Sequence, residues 1–156
     1  MSNEYRLNLV TNYLKEANLD PIVGDKLKGK SILVTGGAGA IGSNLIIALS
    51  HYVGIDGKVI ILDNLTSSKT KSTWNITPLD NILFVNGDIR NEVDLKRVFA
   101  EKIDIVFHLA AFFANQNSVD YPQTSADVDV IGHIKLLEYS NLANIERFVY
   151  ASSGCA

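Results

Sequence analysis

A bend containing three glycines separates a short apolar run from an amphipathic segment, and few folds accommodate such a bend. The glycines are Gly36, Gly39 and Gly42; the apolar run before them covers 31–35, and helical spacing follows from about 41 to 52. The run is β-branched, as a buried parallel strand should be. Gly36 would allow the tight turn, Gly39 a close approach of backbone to an anion, and Gly42 contact of helix with strand. We therefore predict a phosphate-binding turn.

Strands and helices continue to alternate along the rest of the chain. Further strands are predicted at 58–63, 82–86, 103–109 and 147–152, and helices at 92–102 and 122–143. This alternation indicates βαβ units, so the predicted fold class is α/β, a Rossmann-type parallel sheet of about five strands with helices on both faces. An amphipathic helix over 3–17 precedes it. The predicted division is an N-terminal helix and linker at 1–29 and a Rossmann domain at 30–156.

Composition and charge exclude some classes of partner and indicate the cellular compartment. The net charge is −3, and no local group of lysines and arginines offers the basic surface that nucleic acid requires. No apolar run has the length of a membrane span, and residues 1–6 lack the features of a secretory signal. A single cysteine precludes an internal disulfide. We predict a cytoplasmic protein without a nucleic-acid or membrane partner.

A carboxylate ends the second predicted strand. Asp63 follows Gly42 by about twenty residues, the distance at which an acidic residue accepts hydrogen bonds from the ribose hydroxyls of a bound dinucleotide. Its charge would repel the additional phosphate of NADP. The alternative, that Asp63 only begins a turn with Asn64, is weak beside the glycine bend. NAD is therefore the predicted cofactor.

Six short motifs occur in order, at 35–42, 62–65, 87–90, 108–111, 118–122 and 147–153. Together they resemble the extended short-chain dehydrogenase/reductase family, in particular its UDP-galactose 4-epimerase-like nucleotide-sugar epimerases and dehydratases. The resemblance covers about 30–156. It implies an NAD-dependent epimerase that passes a hydride from the sugar to NAD and back through a 4-keto intermediate. A dehydratase of the same family and a non-catalytic NAD-binding or assembly module are the alternatives.

The resemblance also implies roles for individual residues. Asp88 would accept a hydrogen bond from the adenine amino group, with Ile89 beside the ring, and His108 would be a packing residue. The other implied cofactor contacts are Gly36, Gly39, Ala40, Ile41 and Gly42 at the diphosphate, Asp63, Asn64, Ser67 and Ser68 at the adenosine ribose, and Leu109, Ala110 and Ala111 after the fourth strand. Phe113 and Asp129 replace a lysine and an asparagine of the family, and both changes should weaken anion binding.

Ser153 stands at the position of the family's catalytic serine, which orients the sugar hydroxyl. The family's acid/base tyrosine belongs to a Tyr-x-x-x-Lys motif, and none of the six tyrosines here is followed by a lysine four residues later. The chain is therefore expected to be truncated after the catalytic-serine strand and inactive by itself. The nucleotide sugar would be a substrate of the full-length enzyme. A purely structural role for Ser153 is the alternative.

The predicted helix over 122–143 carries apolar residues on too broad a face for a single packing surface. Related enzymes dimerise through this helix, so the resemblance implies a homo-oligomer. An uncovered edge at the last strand would also invite association with another chain. Burial against the sheet is the alternative explanation of the apolar face.

Overall fold

The computed structural model describes residues 3–67, 76–113 and 115–153. The strands in these ranges are β1 Ser31–Thr35, β2 Lys58–Asp63, β3 Ile82–Asn86, β4 Ile105–His108 and β5 Arg147–Tyr150. The α-helices are α1 Asn3–Ala17, α2 Asp25–Leu27, α3 Gly42–Val53, α4 Glu92–Phe99, α5 Asn115–Asp120, α6 Pro122–Ala126 and α7 His133–Leu142, and π-helical turns cover Asp20–Gly24 and Asp127–Gly132. No helix in the described ranges is long and apolar enough to cross a membrane.

The five strands form one parallel sheet in the order β3-β2-β1-β4-β5. The chain builds outward from β1 to β3, then returns to place β4 on the other side of β1. In open parallel sheets, ligands bind beyond the carboxyl ends of the strands where the order reverses in this way. The predicted Rossmann-type fold with an N-terminal helix is confirmed, and it directs attention to the residues that follow β1 and β4.

Side chains of the central strands alternate between two helical layers, as the pleat of a strand requires. Ile32, Val34 and Ile61 pack with α3, whereas Leu33, Ile60 and Leu62 pack with α4 and α7. Burial on both faces explains why these strands are continuous apolar runs. Helix α1 extends the first layer, since its Leu7 and Val10 pack against that core. The division of the chain at residue 29 stays a prediction.

The structure departs from the predicted elements at several points. Residues 20–27, predicted as a linker, form helical turns, and α5 was not predicted. Helix α4 and strand β4 are shorter than predicted. The single helix predicted over 122–143 is three consecutive helical segments, because Asp127–Gly132 is π-helical. A Cβ at Gly132 would lie 2.9 Å from the side chain of Ile89, so glycine allows this segment to approach the loop after β3.

The long helical run from α6 to α7 keeps an apolar face outside the core. Leu136 is fully buried, but Val130, Ile131, Ile134 and Leu137 are between 39% and 53% exposed. Packing on the sheet therefore accounts for only part of the apolar pattern in this run. Association of chains through this face and through the edge strand β5 stays a prediction.

Candidate functional site

The glycine bend closes tightly against the loop that follows β4. Gly36 has a φ of 72°, and its amide donates a hydrogen bond to the carbonyl of Leu62 at 2.9 Å. A Cβ at Gly36 would lie 2.7 Å from the backbone nitrogen of Ala110, and a Cβ at Gly42 would overlap the carbonyl oxygen of Gly36. Because the neighbouring atoms belong to the backbone, both positions require glycine.

Gly39 differs from the other two glycines because fewer atoms surround the position of its missing side chain. Among the described atoms, only the carbonyl oxygen of Gly36 would lie within 4 Å of a Cβ there, at 3.2 Å. Helix α3 begins beside it, and the first amides of a helix lack partners within that helix. The amides of Ala40, Ile41 and Gly42 donate to no acceptor in the described ranges. The bend thus combines bare backbone with available donors, which suits a diphosphate.

Asp63 lies beside this bend at the end of β2. Its Oδ2 accepts a hydrogen bond from the amide of Ala38 at 2.9 Å, and its Oδ1 accepts one from the amide of Leu65 at 2.8 Å. A carboxylate can accept about four hydrogen bonds, so each oxygen retains one lone pair. Two acceptors held in place by backbone groups match the two hydroxyls of a ribose. The residues of the bend and Asp63 therefore fit a dinucleotide.

Asp88 follows β3 and is surrounded by donors. Its two oxygens accept hydrogen bonds from the backbone amide and guanidinium of Arg90 and from the side-chain amide of Asn64, at 2.8 to 3.0 Å. Burial would raise the pKa of Asp88, but the hydrogen bonds from Arg90 and Asn64 outweigh it and lower the pKa to about 2. Asp88 is therefore ionised at neutral pH. The sequence pattern pointed to Asp88 and Asn64 but not to Arg90.

The loop after β4 runs along the same edge of the sheet. The amide of Leu109 donates to the carbonyl of Thr35 at 3.0 Å, and the amide of Ala110 to the Thr35 hydroxyl at 3.3 Å. Farther on, the amide of Phe112 donates to Oδ1 of Asp129 at 2.8 Å. The charge of Asp129 is expected to weaken anion binding. Its hydrogen bond with the Phe112 amide also fixes the loop after β4.

Thr35 also contacts a group of aromatic rings around the buried His108. Its hydroxyl lies 2.6 Å from Nδ1 of His108, and the His108 ring stacks on His133 with centroids 5.0 Å apart. Tyr150 contacts both rings. Burial, with a smaller effect of His133, lowers the pKa of His108 to about 4, although Asp129 acts in the opposite direction. His108 is therefore neutral at pH 7. No sequence pattern predicts the contact between His108 and His133.

The remaining site residues lie at different places along this edge. Ala111 and Ser67 are exposed, Ile89 is buried in the core, and Ser68 lies outside the described residues. Ser153 is exposed three residues beyond β5. Since β3 and β5 are separated by four strand spacings of about 4.8 Å, their carboxyl ends are roughly 19 Å apart. One side of the site therefore holds the Asp88 cluster, and the other side holds Ser153.

Known proteins are similar to this chain in sequence and in fold. The sequence profile of the NAD dependent epimerase/dehydratase family matches residues 32–156. UDP-glucose 4-epimerase of Mycolicibacterium smegmatis is 39% identical over 124 residues, which make up 78% of this chain and 38% of that protein. The chain thus spans well under half the length of this curated relative.

Solved structures agree with the sequence comparison. An epimerase from Methanothermobacter thermautotrophicus is 52% identical with a TM-score of 0.79, over 87% of this chain and 40% of that one. A UDP-glucose 4-epimerase from Stenotrophomonas maltophila, solved with bound NAD and formylated UDP-arabinopyranose, is 28% identical with a TM-score of 0.66, over 81% and 38%. The predicted family is confirmed: this chain belongs to the NAD dependent epimerase/dehydratase family.

Proposed function

We propose that the chain binds NAD across the carboxyl ends of β2, β1 and β4, as the cofactor-binding part of a nucleotide-sugar epimerase. The observation that carries the proposal is the open backbone at Gly39, which lies next to available amide donors and to the two remaining lone pairs of Asp63. The diphosphate would lie against Gly39 and the start of α3, the adenosine ribose at Asp63, and the adenine near Asp88 and Ile89. The nicotinamide half would extend past Leu109, Ala110 and Ala111 toward β5.

Ser153 is suited to the reacting end of this arrangement. It lies beyond β5, on the opposite side of the site from Asp88, where the nicotinamide and the sugar would meet. There its hydroxyl would orient the C4 hydroxyl of the sugar while an acid/base group removes the proton. NAD, when bound, supplies a site that accepts a hydride from the sugar and returns it. Relatives named UDP-glucose 4-epimerase support epimerisation rather than dehydration.

The diphosphate site can be tested with Gly39→Ala. The variant should bind NAD at least about tenfold more weakly in a calorimetric titration, because its methyl group enters the space that the diphosphate would occupy. Its unfolding midpoint should fall only modestly, since one described atom, the carbonyl oxygen of Gly36 at 3.2 Å, lies near the new Cβ. Gly24→Ala is the matched control, because its Cβ would meet only Asp20, at 4.0 Å. Equal NAD affinity of the two variants would contradict the site, and no NAD binding by the unmodified chain would contradict the function.

The choice of cofactor can be tested at Asp63. NADP should bind at least about tenfold more weakly than NAD, because its ribose phosphate would lie against the Asp63 carboxylate. Asp63→Asn should narrow this difference by removing the charge while keeping the shape of the side chain. The readout is the ratio of the two dissociation constants, which is insensitive to a general loss of stability. NADP binding as tight as NAD binding in the unmodified chain would refute the role given to Asp63.

A further inference from the structure

Arg90 supplies three of the four hydrogen bonds that the Asp88 carboxylate accepts from the described residues. Its backbone amide and Nε donate to Oδ1 at 2.9 and 3.0 Å, and its Nη2 donates to Oδ2 at 2.8 Å. The guanidinium therefore contacts both carboxylate oxygens at once, which fixes the plane of the carboxylate as well as its position. The fourth hydrogen bond comes from Nδ2 of Asn64 to Oδ2, at 2.8 Å.

The neighbouring helices hold this pair in place. The amide of Asp88 donates to Oδ2 of Asp94 in α4 at 2.9 Å, and Nζ of Lys135 in α7 donates to the carbonyl of Arg90 at 3.0 Å. Asp127, in the π-helical turn, adds a negative charge near the guanidinium. Asp88 is the less exposed partner, at 21% against 38% for Arg90. The carboxylate is thus fixed from two sides before any ligand arrives.

All four acceptor positions of Asp88 are occupied, so a ligand can bond to this carboxylate only by replacing a present donor. All four bonds end on the carboxylate, but the Arg90 guanidinium is itself charged and contacts both oxygens, and the Arg90 amide is fixed in the backbone. Asn64 makes a single bond from a neutral side chain that can rotate away. The Asn64 bond is therefore the one that yields. An ionised carboxylate only accepts hydrogen bonds, so the incoming group must be a donor. The 6-amino group of adenine meets this condition, and the 6-oxo group of hypoxanthine does not.

We propose that Arg90 is a positioning residue for base recognition, which holds Asp88 as an acceptor so that the site selects a 6-amino purine, and that Asn64 gives up its place on Oδ2 to the base. This inference rests on the proposed binding of NAD. The role of Arg90 is indirect, since it acts on the base through Asp88.

The experiment compares NAD with nicotinamide hypoxanthine dinucleotide in calorimetric titrations. The unmodified chain should prefer NAD by about tenfold, the effect of one hydrogen bond that involves a charged group. Arg90→Gln should reduce this preference to about threefold or less. Without the guanidinium, the Asp88 carboxylate can rotate away from the base or become protonated. Arg90→Lys should restore part of the preference, since it keeps the charge but not the two-point contact. Arg147→Gln, at the opposite edge of the sheet at the start of β5, should leave the preference unchanged.

The outcomes separate the inference from the function it rests on. Equal weakening of both dinucleotides in Arg90→Gln, with the preference intact, would mean that Arg90 only supports the fold and would overturn the inference. Circular dichroism of each variant confirms that folded proteins are compared. If Arg90→Gln does not fold, Arg90→Lys decides, and an unchanged preference in that variant with weaker binding of both ligands would also overturn it. If the unmodified chain binds neither dinucleotide, the proposed function itself fails.

Discussion

Gly36→Ala should lower the free energy of unfolding by about 3 kcal/mol or more, whereas Gly54→Ala should lower it by about 1 kcal/mol. The two glycines have nearly the same φ, 72° and 69°, so an alanine is strained at each. Their surroundings differ. A Cβ at Gly36 would lie 2.7 to 2.9 Å from backbone atoms of Leu109 and Ala110, while a Cβ at Gly54 would meet no atom of the described residues within 4 Å.

Urea unfolding followed by circular dichroism measures both free energies. The backbone around Gly36 belongs to β1 and to the loop after β4, so it can move only by distorting the sheet. A distortion there also displaces the anion-binding bend, and Gly36→Ala should therefore lose NAD binding, whereas Gly54→Ala should keep it. Equal destabilisation of the two variants would show that the close approach at Gly36 is less tight than described.

Lowering the pH from 7 to 4.5 should reduce the free energy of unfolding by about 2 kcal/mol through His108 alone. Burial and His133 lower the pKa of His108 from 6.5 to about 4. Between these two pH values, His108 therefore binds a proton in the unfolded chain but not in the folded chain. The resulting stability is present above pH 6.5 and is lost as the pH falls toward 4. The Thr35 hydroxyl supports the neutral ring, because it accepts a hydrogen bond from Ala110 and has its own proton to donate to Nδ1.

The test is the difference between the free energies of unfolding at pH 7 and pH 4.5. His108→Gln cannot titrate, so its difference should be about 2 kcal/mol smaller than that of the unmodified chain, even if the variant is less stable at both pH values. His51→Gln is the control, because His51 is exposed on α3 and its replacement should not alter the difference. The same pH dependence in the unmodified chain and in His108→Gln would exclude His108 as the cause. Asp88 contributes little, since its pKa is 3.8 in the unfolded chain and about 2 in the folded chain, and both values lie below pH 4.5.

The parts of the site that could be predicted from the sequence are those whose partners are close along the chain or at corresponding strand ends. The glycine bend is such a part, because its geometry is local to one strand and one helix. Asp63 is another, because it ends a strand next to β1 and so must come to the bend. Strand alternation was equally predictable, since burial on both faces leaves continuous apolar runs.

Other features depend on contacts that no local pattern encodes. His108 and His133 meet only because α7 packs over β4 and β5, and Asp129 reaches the Phe112 amide only through the path of the helical run before α7. The π-helical turn at Asp127–Gly132 also lacks a recognisable signal, because its aspartates, β-branched residues and glycine occur in many local structures. The sequence therefore indicates only the charge of Asp129. It does not indicate the hydrogen bonds that Asp129 accepts from the Phe112 amide and the Ser125 hydroxyl.

The helical run from α6 to α7 contacts two loops of the site. Asp129 holds the loop after β4, and Lys135 holds the carbonyl of Arg90 after β3. Asp129 and Lys135 are only six residues apart in this run, so a shift of the run would move both contacts together. The loops after β3 and β4 are thus connected through one helical run, and a partner bound to the exposed apolar face of this run would act on both loops.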